Sequence, residues 1–135
     1  MPLIDDDAVD LAARLVERMR ARRWRAATAE SCTGGLVAGT ITAIAGSSEW
    51  FERGFVTYSD ESKVQALHVP QPILDAQGAV SEPTAIAMAE GALGASTADI
   101  TVAVTGIAGP GAQRRTSLSA RCASHGHRAT AVPAP

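Results

Sequence analysis

The sequence predicts an α/β fold, a layered α/β/α sandwich around a mixed sheet. Strand-like and helix-like segments alternate along the chain, which is typical of this class. The chain has 135 residues and is 46% hydrophobic, so it can close one core of ordinary size. Two of the predicted strands lead directly into glycine-rich turns, where α/β sheets commonly bind ligands.

The first half of the chain predicts a helix, a strand, a helix and a strand. Residues 5–23 carry apolar side chains at helical spacing, with aspartates in the first turn and arginines in the last, where the helix dipole favours them. A short strand is expected at 25–30, and the next helix, 36–45, follows a pair of glycines. Gly46 ends that helix, and residues 51–58 form the second strand.

Capping residues and prolines mark the elements of the second half. Ser59 or Asp60 can cap a helix, which Pro70 and Pro72 stop. Ser81, followed by an acid and a proline, starts another helix. The elements expected here are a helix to about residue 68, a helix from 81 to about 94, and a central strand at 99–105.

Composition excludes several classes of protein. A net charge of −2 gives no electrostatic case for binding nucleic acid. No apolar run approaches the ~20 residues that span a bilayer, and the N-terminal residues lack the features of a signal peptide. The two cysteines, Cys32 and Cys122, form no CxxC motif and no disulfide framework. We therefore expect a cytoplasmic protein that binds neither nucleic acid nor a membrane.

Charge divides the chain into two unequal parts. Residues 1–99 contain eight basic and 14 acidic groups, a balance of −6, whereas residues 100–135 contain four arginines and no acid. From Ala112 onward only two larger aliphatic residues occur, too few for a core face. The boundaries predicted from this division are 1–111 for an incomplete domain and 112–135 for a disordered basic tail.

The two glycine-rich turns, Ser31–Gly35 and Thr105–Gly111, follow the ends of predicted strands. Ligands of open α/β sheets bind beyond the carboxyl ends of the strands. Glycines there let backbone N–H groups approach an anion, and a helix N-terminus favours negative charge. Neither turn matches a Walker loop or a dinucleotide-binding fingerprint, so tight turns without a ligand are an open alternative.

Ser31 stands at a strand-to-helix turn and has two interpretations. It can cap the following helix, or it can be a nucleophile with the next backbone N–H groups as an oxyanion hole. A nucleophilic serine needs a base, and no Ser-His-Asp set is evident, since His68 ends a helix and the other histidines lie beyond residue 112. Lys63, the one lysine beside 11 arginines, can be that base if burial lowers its pKa. The alternative is a surface lysine.

Two neighbours of this pair also carry reactive groups. Cys32 is a rival nucleophile, although a buried structural thiol is its commoner role. Tyr58, the one tyrosine, ends the second strand just before the Lys63 helix. Its side chain can hydrogen-bond the lysine or a substrate, or it can be a core aromatic at the end of a strand.

Four ordered motifs carry a resemblance to a known family. They are Thr28–Gly35 (TAESCTGG), Gly54–Ser59 (GFVTYS) with Lys63 four residues on, Gly78–Ser81 (GAVS) and Val104–Gly111 (VTGIAGPG). From about residue 5 to residue 111 the chain resembles the C-terminal domain of the CinA (competence/damage-inducible) family. The larger members carry a further N-terminal domain, and this chain resembles the stand-alone form.

The resemblance implies a nicotinamide-nucleotide amidohydrolase of pyridine-nucleotide recycling, which converts nicotinamide mononucleotide and water to nicotinate mononucleotide and ammonia. It implies Ser31 as the nucleophile and Lys63 as the base with Tyr58 nearby, and neither a metal nor a cofactor. The partner is then the small-molecule nucleotide, and a homodimer is the commonest assembly to expect. The residues expected to bind the substrate are Thr33, Gly34, Gly35, Thr105, Gly106, Gly109 and Gly111.

Beyond Gly111 the sequence departs from the family, which continues with a Lys-Pro-Val-Gly segment, a further strand or two and a last helix. Codons for residues 115–122, read from the third base of the Arg115 codon, can encode Asp-Lys-Pro-Val-Gly-Thr-Val. We therefore hypothesise a frameshift that replaced the C-terminal strand and helix. Their loss is expected to expose apolar surface and a bare sheet edge, and to leave weak or no activity.

Three other functional interpretations stay open at this point. The first is a cysteine amidase that uses Cys32 in place of Ser31. The second is a non-catalytic nucleotide- or phosphate-binding module, in which Lys63 affects affinity alone. The third is a truncated pseudogene product without a function.

Overall fold

The computed structural model describes residues 4–106, 116–122 and 132–133. The helices in this part of the chain are α1 (Asp6–Arg22), α2 (Leu36–Thr42), α3 (Asp60–Leu67), α4 (Gln71–Gln77) and α5 (Glu82–Gly94), with a 3-10 turn at Ser47–Glu49. The strands are β1 (Ala26–Glu30), β2 (Phe51–Val56), β3 (Ile100–Gly106), β4 (Thr116–Cys122) and β5 (Val132–Pro133).

The strands form one mixed sheet in the order β2-β1-β3-β4-β5. The central strand β1 runs parallel to β2 and to β3, whereas β4 is antiparallel to β3 and β5 is antiparallel to β4. Glu30, at the end of β1, is in register with Val56 of β2 and with Val104 of β3. The carboxyl ends of the three parallel strands therefore meet at one edge of the sheet.

Helices cover both faces of the sheet, which confirms the predicted sandwich. Ala26 of β1 packs in a cluster with residues of α1 and α2, including Val16 and Ile41. Ala29 of the same strand packs in a second cluster with residues of α3, α4 and α5, including Met88. Two residues of a strand at an odd separation point to opposite faces, so the two clusters lie on opposite sides.

Two of the helices, α3 and α5, begin at residues that the sequence marks as caps, and α1 has a cap at Asp5 that the sequence analysis does not single out. The side chains of Asp5, Ser59 and Ser81 accept hydrogen bonds from the backbone N–H groups of the first turns of α1, α3 and α5. Each such bond satisfies one of the donors that a helix N-terminus leaves without a partner. Of the two candidate caps of α3, Ser59 is the one used.

The helix α4 was not expected from the sequence, where Pro70 and Pro72 mark the end of α3. Pro70 is instead the N-cap residue of α4, and Pro72 lies in its first turn. Proline is compatible with the first turn because the N–H group it lacks has no partner there in any helix. The same two prolines thus separate α3 from α4 and start the second helix.

Thr116–Cys122, a part of the segment 112–135 for which the sequence predicts disorder, is among the described residues. This segment is the strand β4, which pairs with the whole length of β3 and covers the edge that was expected to be bare. Strand pairing uses backbone N–H and C=O groups, so a segment with few large apolar side chains can still fill that position. No helix follows α5 within the residues that the structure describes.

A close approach of two helices fixes the position of α3. A Cβ atom at Gly91 of α5 would overlap the carbonyl oxygen of Leu67, the last residue of α3. Only a glycine at this point lets the end of α3 lie directly against α5. Because α3 carries Lys63, this contact also positions the lysine.

Candidate active site

Ser31 follows directly after β1, at the edge where the parallel strands end. Its backbone N–H donates to the carbonyl oxygen of Val104 at 3.0 Å, and the N–H of Thr57 donates to the carbonyl oxygen of Glu30 at 2.8 Å. The sheet's hydrogen bonding thus continues one residue beyond the strands on both sides of β1. The backbone that carries Ser31 is therefore held by both neighbouring strands.

The side chain of Lys63 reaches from α3 to Ser31. Its Nζ atom lies 3.1 Å from Oγ of Ser31. It also donates to the backbone carbonyl oxygens of Thr57, Tyr58 and Ser59, at 2.9, 3.0 and 3.4 Å. Lys63 is fully buried, so it is not the surface lysine of the alternative interpretation.

Ser31 is not the cap of α2. That helix begins at Leu36, and its N-cap residue is Gly35. The Ser31 hydroxyl instead lies between Nζ of Lys63 and the carbonyl oxygen of Tyr58, which is 3.4 Å away. The serine is 6% exposed, so it is buried rather than on the surface.

Burial lowers the pKa of the Lys63 amine, because removal from water penalises the charged form. The negative charge of Asp60, followed by that of the Cys32 thiolate form, acts in the opposite direction and raises the pKa of Lys63. The effect of burial is larger than that of the two charges, so the pKa of Lys63 is lowered overall. A larger fraction of this amine than of an ordinary lysine is therefore neutral near pH 7, and a neutral amine has a lone pair that can accept a proton.

Cys32 differs from its neighbour in its surroundings. The side chain is partly exposed, and burial, assisted by the charge of Glu30, raises the pKa of its thiol. Hydrogen bonds from the backbone of Cys32 and Thr33 and the charge of Lys63 offset only part of this. A raised pKa favours the thiol over the nucleophilic thiolate, which argues against Cys32 as the nucleophile.

Tyr58 contributes its backbone to the Lys63 environment. Its carbonyl oxygen accepts from Nζ of Lys63, whereas its side chain is 70% exposed. The interpretation of Tyr58 as a core aromatic is therefore wrong. The side chain of Tyr58 lies on the surface, while its backbone carbonyl oxygen belongs to the site.

Glu30 is a site residue that the sequence analysis does not single out. Its carboxylate is fully buried and accepts hydrogen bonds from the backbone N–H groups of Val37 and Ala38, at 2.9 and 3.0 Å. It also accepts from the Thr33 hydroxyl at 2.6 Å. Because Gly35 has no side chain, Glu30 supplies the cap of α2 from the adjacent strand. The sequence carries a weak sign of this capping role, because Glu30 is an acid at the end of a strand of small residues and the helix that follows has no cap of its own.

The N-terminus of α2 is therefore not an empty anion site. The sequence predicts that a substrate anion can use the positive end of this helix, but the Glu30 carboxylate already occupies it. Gly34 and Gly35 have φ angles of +59° and +105°, so the turn needs glycine for its shape. Thr33 faces Glu30 with its hydroxyl, and Gly34 and Gly35 form the turn between Ser31 and α2.

On β3 the hydroxyl of Thr105 makes a hydrogen bond within the protein. It donates to the carbonyl oxygen of Ala79 at 2.8 Å and is buried, so it ties the end of β3 to the loop before α5. Gly106 follows it as the last residue of β3 and is partly exposed. The other two predicted binding residues of this turn, Gly109 and Gly111, lie outside the described residues.

The described residues form neither a metal-binding cluster nor a membrane-spanning helix. Among the described residues, no group of three or more histidine, cysteine or acidic side chains is placed to hold a metal ion. No helix in residues 4–106, and none elsewhere in the described chain, is long and apolar enough to cross a membrane.

A family model for the CinA C-terminal domain matches residues 8–119. The chain belongs to the CinA C-terminal domain family. The family match extends from α1 into β4, so it includes both Ser31 and Lys63 of the candidate active site. The resemblance that the four motifs indicate is confirmed.

Curated proteins similar to this chain carry different names, two of which are illustrated by one relative each. The nicotinamide-nucleotide amidohydrolase PncC of Escherichia coli K12 is 52% identical over 108 residues, which are 80% of this chain and 66% of that protein. A CinA-like protein of Syntrophobacter fumaroxidans is 53% identical over 94 residues, which are 70% of this chain and 22% of that protein. The chain thus spans slightly less than two thirds of the amidohydrolase and about a fifth of the longer relative.

Solved structures of the CinA family have the same fold. The competence/damage-inducible protein CihA from Agrobacterium tumefaciens superimposes with a TM-score of 0.86 at 42% identity, covering 96% of this chain and 84% of that one. A CinA superfamily protein from Escherichia coli gives a TM-score of 0.85 at 31% identity, covering 100% of this chain and 82% of that one.

Proposed function

We propose that the chain is a nicotinamide-nucleotide amidohydrolase that hydrolyses the carboxamide of nicotinamide mononucleotide, with Ser31 as the nucleophile and Lys63 as the base. The observation that carries the proposal is the distance of 3.1 Å between Nζ of the buried Lys63 and Oγ of Ser31. The amidohydrolase name of the 52% identical relative supports the choice of substrate.

In the first step the neutral amine of Lys63 accepts the hydroxyl proton of Ser31. The carbonyl oxygens of Thr57 and Tyr58 accept two N–H bonds of the amine, which directs its lone pair toward Oγ. Oγ then attacks the carboxamide carbon, and backbone N–H groups of the Ser31–Gly35 turn stabilise the oxyanion. The hydrogen-bond distance between Nζ of Lys63 and Oγ of Ser31 supports these two roles.

In the second step Lys63 returns its proton to the amide nitrogen, the carbon–nitrogen bond breaks, and ammonia leaves. The acyl group remains as an ester on Ser31. A water molecule attacks that ester while Lys63 takes one of its protons and then passes it to Oγ. The products are nicotinate mononucleotide and free Ser31, so the balance needs no other reactant.

The remaining parts of the proposal concern binding and location. The exposed side chain of Tyr58 contacts the nicotinamide or ribose, and the turn containing Gly34 and Gly35, with the turn after Thr105, holds the nucleotide. The protein acts in the cytoplasm on a pyridine nucleotide, which fits the free thiol of Cys32. It acts as a homodimer.

The test is ammonia release from nicotinamide mononucleotide. It is measured on this chain and on a chimera whose residues from Ala112 are replaced by the corresponding C-terminal part of the Escherichia coli relative. We expect slow release by the chain and faster release by the chimera, because residues 112–135 do not supply the family's C-terminal part. Ser31→Ala should abolish release in both, and the matched variant Cys32→Ala should keep most of it.

Two outcomes would overturn the proposal. One is no release by either protein. The other is release that survives Ser31→Ala but is lost with Cys32→Ala, which would identify a cysteine amidase. Equal rates for the chain and the chimera would refute only the expected deficit of the C-terminal segment.

A further inference from the structure

Thr57 is the neighbour of Ser31 across the sheet, at the edge where β1 and β2 end. Phe55 of β2 is in register with Ala29 of β1 and packs against the apolar cluster that contains Ala29, on the face that carries α3 and α5. Side chains of a strand return to the same face at every second residue. The backbone hydrogen bond from Thr57 to Glu30 continues this pairing, so the side chains of Thr57 and Ser31 lie side by side on that face.

The backbone of Thr57 adjoins the proposed base as well. Its carbonyl oxygen accepts from Nζ of Lys63 at 2.9 Å, the shortest of the hydrogen bonds described for this amine. Nζ in turn lies 3.1 Å from Oγ of Ser31. Thr57 therefore contacts the base with its backbone and lies beside the nucleophile with its side chain, although its hydroxyl takes no part in the formation of the acyl ester.

The Thr57 hydroxyl is buried and has no hydrogen-bond partner among the residues that the structure describes. A buried hydroxyl without a partner lowers stability, and a valine would fill the same space without that cost. The hydroxyl on the other side of Ser31, that of Thr105 in β3, has a partner in the carbonyl oxygen of Ala79. The described fold thus makes use of the hydroxyl at residue 105 but not of the one at residue 57, which leaves the reaction to give it a use.

We propose that the Thr57 hydroxyl holds the water molecule that hydrolyses the acyl ester on Ser31. This inference rests on the proposed amidohydrolase function and assigns a further catalytic residue to its second step. The water donates one hydrogen bond to Oγ of Thr57 and gives its other proton to the amine of Lys63, while its oxygen forms the new bond to the ester carbon. The bond from that carbon to Oγ of Ser31 then breaks, and Lys63 passes the proton to Oγ.

The burial of the Thr57 hydroxyl favours water over the nucleotide as its partner. Thr57 is 2% exposed, so a group as large as a pyridine ring has no open path to its side chain. A buried water typically makes about three hydrogen bonds to polar groups that otherwise have no partner, and Thr57 and Lys63 supply two of them. The release of ammonia needs no water, so a group that serves the water acts on the second step alone.

The test measures the two steps separately in Thr57→Val, on the chain and on the chimera with the Escherichia coli C-terminal part. With protein in excess over nicotinamide mononucleotide, we expect ammonia to be released at an unchanged rate. In the steady state, mass spectrometry after an acid quench should find a larger acylated fraction of protein. The increase should be up to about tenfold, the rate effect of one lost hydrogen bond. Thr57→Ser keeps the hydroxyl and should return the acylated fraction toward its original value.

A stability measurement separates water binding from a structural role. Thr57→Val should not lower the urea midpoint of unfolding, because the hydroxyl has no partner in the described fold. Thr101→Val is the matched control, since Thr101 is a buried threonine of β3 whose hydroxyl donates to the carbonyl oxygen of Ala89 at 2.8 Å. This control should lower the urea midpoint and leave the acylated fraction unchanged.

Three results for Thr57→Val would overturn this proposal alone. The first is slower release of ammonia with no rise in the acylated fraction, which would mean that the hydroxyl acts on the substrate or the base. The second is a lower urea midpoint, which would mean that the hydroxyl has a partner within the chain. The third is no change in either step. A chain and a chimera that both release no ammonia before any substitution would instead overturn the proposed function, and this inference with it.

Discussion

At the residue scale, the amine of Lys63 is the group on which the proposed reaction depends. It is buried between α3 and the ends of β1 and β2, and burial lowers its pKa from the ordinary lysine value of about 10.4. An amine that stays protonated near neutral pH could not take a proton from Ser31. The pH dependence of the reaction therefore reports on this one residue.

We expect kcat/KM to rise with pH as Lys63 loses its proton and to level off above its pKa. Because the folded protein lowers that pKa, the midpoint should lie below about 10.4. Lys63→Arg should be inactive across the whole profile, since a guanidinium does not release its proton in this range. A rate that is independent of pH through the alkaline range, or an active Lys63→Arg variant, would exclude Lys63 as the base.

A second prediction at the residue scale concerns the substitution of Glu30. Glu30→Gln keeps the shape but loses the charge that accepts from the N-terminus of α2. We expect the free energy of unfolding to fall by about 1–2 kcal/mol. The reaction should also slow, because Glu30 holds the turn after Ser31. Urea denaturation and ammonia release measure the two effects.

Glu17→Gln on the exposed face of α1 is the matched control for Glu30→Gln and should change neither quantity. If Glu30→Gln behaves like this control, then Glu30 does not support the site.

The candidate pair Ser31 and Lys63 could be chosen from the sequence, whereas the sequence carries only a weak signal for the role of Glu30. A serine at a glycine-rich turn and a lysine among arginines are conspicuous as residue types, so the pattern itself nominates Ser31 and Lys63. The role of Glu30 depends on the backbone N–H groups of Val37 and Ala38, seven and eight residues away, which only the folded turn brings to it.

At the scale of elements, the N-termini of α3 and α5 could be predicted because a cap acts within four residues of its helix. Two of the elements that the sequence analysis missed, α4 and β4, depend on more distant features. The first turn of α4 contains the prolines that end α3, and β4 exists because β3 offers an unpaired edge. The residues of β4 themselves give no indication that β3 has an unpaired edge.

The contact between α3 and α5 predicts that alanine substitutions at two glycines of α5 differ sharply in their effect on stability. Gly91→Ala places a methyl group on the carbonyl oxygen of Leu67, so the helices must separate and Lys63 must shift. We expect a loss of about 1–3 kcal/mol in stability, with a larger loss of activity. At Gly94 a Cβ meets nothing within 4 Å, so Gly94→Ala should be neutral or slightly stabilising. Equal unfolding midpoints for the two variants would contradict this packing.

At the scale of the whole molecule, the division at residue 111 is a prediction that the nucleotide sequence can test. The sheet includes Thr116–Cys122, and the family match ends at residue 119, so the departure does not begin at a boundary of the fold. The face of the sheet that holds α1 and α2 retains an apolar groove. The exposed apolar surface expected from the loss of a C-terminal strand and helix stays a prediction, and the groove is a place where it can be looked for.

The central claim is that Ser31 forms a covalent intermediate with the substrate. Mass spectrometry of protein mixed with nicotinamide mononucleotide and quenched in acid tests it most directly, on the chain and on the chimera. We predict an acyl adduct on the peptide that contains Ser31, present in Cys32→Ala and absent in Ser31→Ala. Ammonia release with no adduct in either protein, or an adduct that persists in Ser31→Ala and disappears in Cys32→Ala, would contradict the account.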